Sequence, residues 1–444
     1  MDNIAAQTSE NYATHLCLVK ANFDHALARA GVDTVVISSG SERFQAFDDR
    51  PYTFAVNPHF KYWLPLTEHP NCWIIYTSGT KPILIYYQPA DYWHVAPAAP
   101  SGYWTEFFDI RIISHLEEAK AQLPKASNLV AIIGENNAGI PGFEPTNPDA
   151  LLRYLDFHRA YKSAYGLSLM RVAQARAVKG HRAAEAAFRA DGSEYDIHLA
   201  YIQATGQTEK ELPYSNIVGL NQHAAVLHYQ LQDRKKPLQH LSFLIDAGAS
   251  YCGYAADITR SYAKREGVFA ELIAGMEAAQ LRLCDLARAG NTNSNIHLAS
   301  HLEVATLLAQ FKLVNMSPEA IVETGVSHVF YPHGIGHFLG LQVHDVGGYY
   351  KDDYGTLEPK PQGHRYLRLT REFKGDEVLT IEPGLYFIDM LLQEAASGPH
   401  AGDFAWTEID ALKHYGGIRI EDNVRIRKTG APENLTRAAF AADA

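Results

Sequence analysis

SFLIDAGASYCGYAADITRSYA, residues 242–263, decides the fold of the larger part of this chain. Two apolar runs rich in Ile, Leu, Tyr and Thr flank a centre, AGASYCGYA, that can hold a turn. The pattern predicts an antiparallel hairpin. An acid is embedded in each run, Asp246 in LIDAG and Asp257 in AADITR, eleven residues apart. A carboxylate among Ile, Leu and Ala on a core strand is costly unless it is paired or bound to a metal. Facing strands would bring both acids to one ion or to a bridging position.

Two further acids lie in the same kind of context, Glu382 in TIEPG and Glu421 in RIEDN. Each ends a strand-like run, and Pro383 and Gly384 stop the first one sharply. Separate ion pairs with Arg260, Arg419 and Arg425 are the competing reading, and four such acids together make it the weaker one. Carboxylates that bridge two divalent ions about 3.5–4 Å apart are how two-metal hydrolytic sites are assembled. The segment YPHGIGHFLGLQVHD (331–345) adds His333, His337 and His344. His333 and His337 are spaced like a helical HExxH pair, but Pro332, Gly334 and Gly336 argue for a strand or loop. GIGHFLG also lacks the spacing of a GxGxxG nucleotide loop. Oxygen donors with one imidazole and no thiolate favour a hard divalent ion such as Mn²⁺, with Zn²⁺ and Co²⁺ as alternatives. The chemistry implied is hydrolysis by a bridging hydroxide, with Lewis-acid polarisation of a scissile carbonyl.

At 444 residues the chain is too long for one ordinary core, so two domains are expected. The first, residues 1–155, alternates helical patterns with the strand candidates DTVVISSG (33–40), NCWIIYTSG (71–79), KPILIYY (81–87) and NLVAIIG (128–134), an α/β domain with a mixed sheet. The Pro/Gly/Asn-rich stretch GENNAGIPGFEPTNP (134–148) punctuates it. A helical stretch from about Asp149 to Thr205 follows, with a turn expected at AVKGH (177–181). The second domain, 156–444, reads as antiparallel α+β, with strand candidates SFLIDAGA, AADITRSYA, EVLTIEPGLYFI and GIRIEDNVRIR and helical patterns at 268–289 and 295–312. A formal net charge of −11 without a basic stripe disfavours nucleic acid. The start lacks a secretory signal, no stretch is apolar enough to span a membrane, and the cytoplasm is the expected location. Cys17, Cys72, Cys252 and Cys284 are scattered and read as small buried hydrophobes.

At LIDAG, AADITR, PHGIGHFLGLQVHD, TIEPG and GIRIEDN the sequence closely resembles the pita-bread metallopeptidases, in particular the bacterial Xaa-Pro dipeptidases. Order, spacing and neighbours agree, and FDDRPYTFAVNPHFKYWLP (47–65), VLHY (226–229), YLRLTR (366–371) and ENLTR (433–437) extend the likeness over most of the chain. The resemblance implies a pita-bread catalytic domain and two divalent ions held by Asp246, Asp257, His337, Glu382 and Glu421. Asp257 and Glu421 would bridge the ions, and Glu382 would be general base or proton shuttle. His228 and His344 would bind substrate and steady the tetrahedral intermediate, with His333 further out. Arg368 would hold the proline carboxylate, Arg419 would support from nearby, and Tyr214 and Leu367 would line pockets. Asn293 stands where relatives often carry an aromatic residue. A homodimer is implied, with Asp48 or Asp49 reaching the partner's site.

The physical demands of an Xaa-Pro dipeptide agree with this. An imide bond to proline has no N–H to grip, so recognition must fall on the ring, the free amine and the carboxylate, which an Arg fork suits. An aminopeptidase P-like enzyme acting on longer Xaa-Pro peptides is the nearest alternative. Methionine aminopeptidase lacks so large an N-terminal domain. A non-catalytic binder is disfavoured because no ligand position is replaced. The resemblance also suggests side activity on organophosphorus esters.

Overall fold

The computed structural model describes residues 2–125, 127–135 and 143–443, with side chains from Ser9 onward. Part of the Pro/Gly/Asn-rich stretch at 134–148 lies outside the described residues. The chain divides into two compact units, one of Met1–Leu169 with Tyr251–Tyr254 and Asp352–Thr356, the other of Met170–Ser250, Ala255–Lys351 and Leu357–Ala444.

The first unit holds a mixed sheet of β1 (Thr34–Ser38), β2 (Trp73–Thr77), β3 (Ile83–Tyr87), β4 (Asp109–Ile113) and β5 (Val130–Ile133), in the order β4-β3-β2-β1-β5. β1 pairs antiparallel with β2 and parallel with β5, and β3 pairs parallel with β4. TVVIS, WIIYT and ILIYY are continuous apolar runs because both faces are covered. Val36, Ile75, Ile85 and Ile132 pack with Ala119 and Leu123 on one face. On the other, Tyr76 meets Trp63, which packs on Phe23 of the helix Asp2–Ala30. The edge strand β4 escaped the sequence reading, since DIRII carries two charged residues in five.

The second unit is antiparallel throughout its sheets. β6 (Ile217–Leu220), β7 (Ser242–Ala247) and, after the short hairpin strands β8 (Ser250–Tyr251) and β9 (Tyr254–Ala255), β10 (Ile258–Ala263) lie in the order β10-β7-β6. β7 and β10 are the hairpin that the opening stretch predicts, with Asp246 opposite Thr259. β11 (Val378–Ile381) pairs with β14 (Asp422–Arg425), which pairs with β15 (Glu433–Asn434). β12 (Gly384–Tyr386) pairs with β13 (Gly417–Arg419). A backbone bridge between Thr259 and Glu421 joins the hairpin to the β13–β14 corner.

Helices cover these strands. Ala184, Phe188, Ile197 and Tyr201 pack on Val218, Phe243 and Ile245. Leu272, Met276, Val304 and Leu308 pack with Leu385, Ile418 and Ile420. The turn expected at 177–181 is instead interior to the helix Ala164–Arg189. Gly180 is there for contact: a Cβ would stand 2.5 Å from the Tyr201 ring, so the glycine lets two helices approach closely. All four cysteines are free, but only Cys72 and Cys284 are buried; Cys17 is exposed and Cys252 is intermediate.

The Arg residues named as competing partners of the acids are mostly engaged elsewhere. Asp422, fully buried, accepts from Arg260 Nη2 at 2.6 Å, Arg437 Nε at 2.7 Å and Asn434 Nδ2 at 2.8 Å. Arg425 pairs with Asp376 and Glu433. Removing one partner of a buried charge network leaves the others uncompensated. Asp422→Asn should therefore lower the stability of this unit by about 3 kcal/mol, read as a shift of its urea midpoint. A midpoint unchanged from the parent would show that the network contributes little.

Candidate metal centre

The four acids sit at strand ends, where the backbone can aim them inward without breaking a ladder. Asp246 is the second-last residue of β7, Asp257 precedes β10, Glu382 follows β11 and Glu421 lies between β13 and β14. Asn423 clamps the Asp257 backbone, accepting its N–H at 3.0 Å and donating to its carbonyl at 2.5 Å. His337 comes from a loop that zips onto β11, with Thr380 N–H donating to the His337 carbonyl and Glu382 N–H to that of Ile335, each at 2.9 Å. Gly336 makes this approach possible, because a Cβ there would stand 2.0 Å from the Thr380 carbonyl oxygen.

Side-chain contacts join the five residues into one cluster. Donor atoms of Asp257, His337 and Glu421 lie within 4.8 Å of one another, and a metal ion could be held among them. His337 Nε2 is 3.5 Å from Asp257 Oδ2 and 3.7 Å from Glu382 Oε1. Asp246 joins through Tyr214, whose hydroxyl lies 2.8 Å from Asp246 Oδ1 and 2.5 Å from Asp257 Oδ1. One hydroxyl proton serves only one of these two anions at a time. Thr259 donates to Glu421 Oε2 at 2.6 Å, and Thr380 donates to Glu382 Oε1 at 3.2 Å.

Compensating charge is scarce. Arg419 makes the only Arg or Lys ion pair with these acids among the described residues, 2.7 Å from Asp246. Its other two nitrogens donate to Tyr386 Oη at 2.9 Å and Thr259 Oγ1 at 3.2 Å. Burial, then the neighbouring carboxylates, pushes Glu421 well above the usual carboxylate range. Burial raises Asp246 despite Arg419, and lifts Glu382 to about 7. Asp257 is pushed up by burial as well, but hydrogen bonds from His337 and Tyr214 bring it below its ordinary value. His337 Nδ1 faces the Phe338 carbonyl at 2.9 Å and must donate to it, so Nε2 of a neutral ring would present a lone pair to two carboxylates. A cation at that point satisfies all three groups. The donor set therefore fits a divalent metal.

Around the cluster the expected outer residues divide. The His344 ring packs on His337 with centroids 4.3 Å apart, and burial, then His337 and Arg368, hold it down to about 4. His228 is exposed and close enough to depress both His344 and His333. His333 donates from Nδ1 to the Gly334 carbonyl at 2.8 Å and accepts at Nε2 from Tyr386 at 2.9 Å, with Nδ1 3.9 Å from Glu382. Arg368 is exposed and forms no ion pair among the described residues. Leu367 is buried, its carbonyl accepting from Tyr349. Asn293 is fully buried and donates to the Leu369 carbonyl at 3.2 Å. Asp48 and Asp49 occupy an exposed loop of the first unit, where Asp48 Oδ1 accepts the Asp49 N–H at 2.8 Å.

Thr259, Thr380, Tyr386 and Asn423 were missed in the sequence. The two threonines carried a usable signal, because each is two residues from an acid and period-2 alternation puts them on one face. Tyr214, read as a pocket residue, touches the acids directly.

Comparison with known proteins agrees with this geometry. The profile "Metallopeptidase family M24" matches residues 168–428, and "Xaa-Pro dipeptidase, N-terminal domain" matches 10–157. A Xanthomonas oryzae pv. oryzae protein named Xaa-Pro dipeptidase is 52% identical over 432 residues, covering 97% of this chain and 98% of that protein. One from Stenotrophomonas maltophilia strain K279a is 51% identical over 432 residues, covering 97% of each. Among solved structures, zinc-substituted E. coli aminopeptidase P in complex with product superposes with TM-score 0.70 at 19% identity, covering 98% of this chain and 99% of that one. Pseudomonas aeruginosa aminopeptidase PepP does so with TM-score 0.70 at 21% identity, covering 98% of each. Antiparallel strands flanked by helices, with inward acids at the strand ends, are thus the pita-bread architecture of a metal-dependent peptidase. The chain belongs to metallopeptidase family M24.

Gly336→Ala should separate the His337 loop from β11 and destabilise the unit by about 3 kcal/mol in urea unfolding. A variant as stable as the parent would mean the loop has room that the contact with Thr380 denies.

Proposed function

We propose that this metallopeptidase hydrolyses Xaa-Pro dipeptides to a free amino acid and proline, using Asp246, Asp257, His337, Glu382 and Glu421 to hold two divalent ions. Asp257 and Glu421, whose carboxylates lie close together beside His337, would be shared between the ions. Divalent ions in such a site supply a low-pKa water as nucleophile and polarise the scissile carbonyl. Mn²⁺ is the proposed ion, because four carboxylates and one imidazole form a hard donor set; Co²⁺ and Zn²⁺ are the alternatives. Glu382, beside His337, accepts and passes the proton that ends on the proline nitrogen. His344 and His228, both sensed electrostatically by their neighbours in the site, hold the substrate carbonyl as it becomes tetrahedral. Tyr214 orients Asp246 and Asp257, and Arg419 neutralises Asp246. Leu367 packs behind the substrate.

The observation that carries the dipeptidase reading is Arg368. Its guanidinium has no acidic partner among the described residues, yet it lies near enough to His344 to lower that ring's pKa. A charged fork left unpaired beside the site suits a substrate carboxylate, and it would favour substrates that end one residue after the scissile bond. The name Xaa-Pro dipeptidase borne by relatives about half identical over nearly the whole chain supports the same substrate class. We further propose a cytoplasmic homodimer, with the loop of Asp48 and Asp49, which exposes Phe44, Phe47 and Tyr52, meeting the partner. Side activity on organophosphorus esters would use the same centre, and activity on P–F substrates surviving Asp257→Asn would remove that explanation. Among the described residues no helix is long and apolar enough to cross a membrane.

The deciding assay compares Gly-Pro, Gly-Pro-NH₂ and Gly-Pro-Ala with Mn²⁺-loaded protein. Efficient turnover of the dipeptide alone is expected; equal cleavage of all three would replace the dipeptidase with an aminopeptidase P-like activity. Arg368→Ala should raise KM for Gly-Pro on the order of 10- to 100-fold with little change in kcat, and should not affect the amide. Equal losses on both substrates would show that Arg368 does not read the carboxylate.

A further inference from the structure

A second cluster of metal-ligating side chains lies outside the acid centre. His297 and His301 are one turn apart on the helix Asn293–Gln310, so they share a face, and both are almost wholly buried. His364 meets them from the loop that leads to Arg368. One ring nitrogen from each lies within 4.8 Å of the others. His297 Nε2 is 2.9 Å from His364 Nδ1, and the three ring centroids are 4.7–4.9 Å apart.

We propose that His297, His301 and His364 form a separate, nitrogen-only metal site for a borderline divalent ion of the zinc, cobalt or nickel kind. The alternative is a histidine stack held by hydrogen bonds, and the bonding does not close that way. Among the described residues, His297 Nδ1 and His301 Nε2 are both buried without a hydrogen-bond partner. Such orphans are rare because each costs its full desolvation. The opposite nitrogen of His301, Nδ1, lies 2.9 Å from Ser327 Oγ; donating to that hydroxyl leaves the unpartnered Nε2 with its lone pair. Nitrogens around a tetrahedral zinc stand roughly 3.4 Å apart, from bonds of about 2.0–2.1 Å, so assembling the site needs only modest side-chain movement. Burial and neighbouring imidazoles hold His297 to about 3 and His301 to about 2, so both rings are neutral and able to coordinate at neutral pH. His328, with its ring centroid 4.4 Å from His301 and 4.9 Å from His364, stands by as a fourth ligand.

Imidazole-only coordination selects against the hard ion suited to the carboxylates, so the two sites are chemically distinct. A metal here would also act on the loop. The His364 carbonyl accepts from Leu367 N–H at 3.2 Å, and Asn293 of the same helix donates to the Leu369 carbonyl at 3.2 Å. Both sides of Arg368 would then be tied to one helix.

The test is zinc stoichiometry on the full-length, Mn²⁺-loaded protein. Parent, His301→Gln and His364→Asn are equilibrated with Zn²⁺ and desalted, and metals are counted by mass spectrometry. X-ray absorption at the zinc edge reports the ligands. The parent should hold one zinc per chain more than either variant, at equal manganese, with a nitrogen-dominated shell. His364→Asn, on a partly exposed loop, keeps the comparison available should the buried His301→Gln fail to fold. Equal zinc in parent and variants, or an oxygen-dominated shell, would overturn the site.

Discussion

The catalytic unit is organised around an imbalance: four carboxylates and an imidazole are drawn together in its interior with, among the described residues, one arginine ion-paired to them. Burying a carboxylate carries an effective penalty of several kcal/mol, which a good ion pair can offset and a like-charged neighbour only worsens. Arg419 answers Asp246 alone. Arg260 is held by Asp422, and Arg425 by Asp376 and Glu433, so the remaining acids share His337 and whatever cation enters. The strands exist in this arrangement to bear that strain. Asp246 and Asp257 ride the β7–β10 hairpin, Asn423 pins the backbone of Asp257, and Thr259 and Thr380 fix the orientation of Glu421 and Glu382. One tripeptide, Glu421–Asp422–Asn423, therefore serves the acid cluster, the buried ion network and the backbone clamp in successive residues.

Much of this was legible in the amino-acid order because the physics is local. Acids inside Ile- and Leu-rich runs stand out wherever they occur, and Pro332, Gly334 and Gly336 exclude a helix for the histidine segment. The hairpin at 242–263 and the helices near 268–289 and 295–312 follow from periodicity alone. What escaped depended on partners distant in sequence. Gly180 looks like a turn until Tyr201 is set against it. Tyr214 looks like a pocket residue until its hydroxyl is seen between two carboxylates. His297 and His301 lie on the buried face of a helix that also carries Ile296, Val304 and Leu308, and only His364, some sixty residues on, changes their meaning.

The two arginines near the centre show how environment separates roles that residue type cannot. Arg419 is buried and has every nitrogen engaged, so it sets charge and geometry. Arg368 is exposed and unpaired among the described residues, so its charge is available to a ligand. Specificity for a terminal carboxylate would then rest on a loop, and hydrolysis on the strands beneath it. Such a division would let substrate preference vary without disturbing the acid cluster, in line with binding residues sitting on loops above a rigid scaffold.

The central claim is that the buried acids await divalent cations, and metal-linked stability tests it most directly. Protein stripped with chelator should be compared by calorimetry with and without added Mn²⁺, alongside a titration of bound metal. A ligand that binds only the native state adds about 2.7 kcal/mol at a hundredfold excess over its Kd. The account predicts tight Mn²⁺ uptake and a clear rise in Tm, both lost in Asp257→Asn. A Tm indifferent to Mn²⁺, with no metal retained, would contradict it.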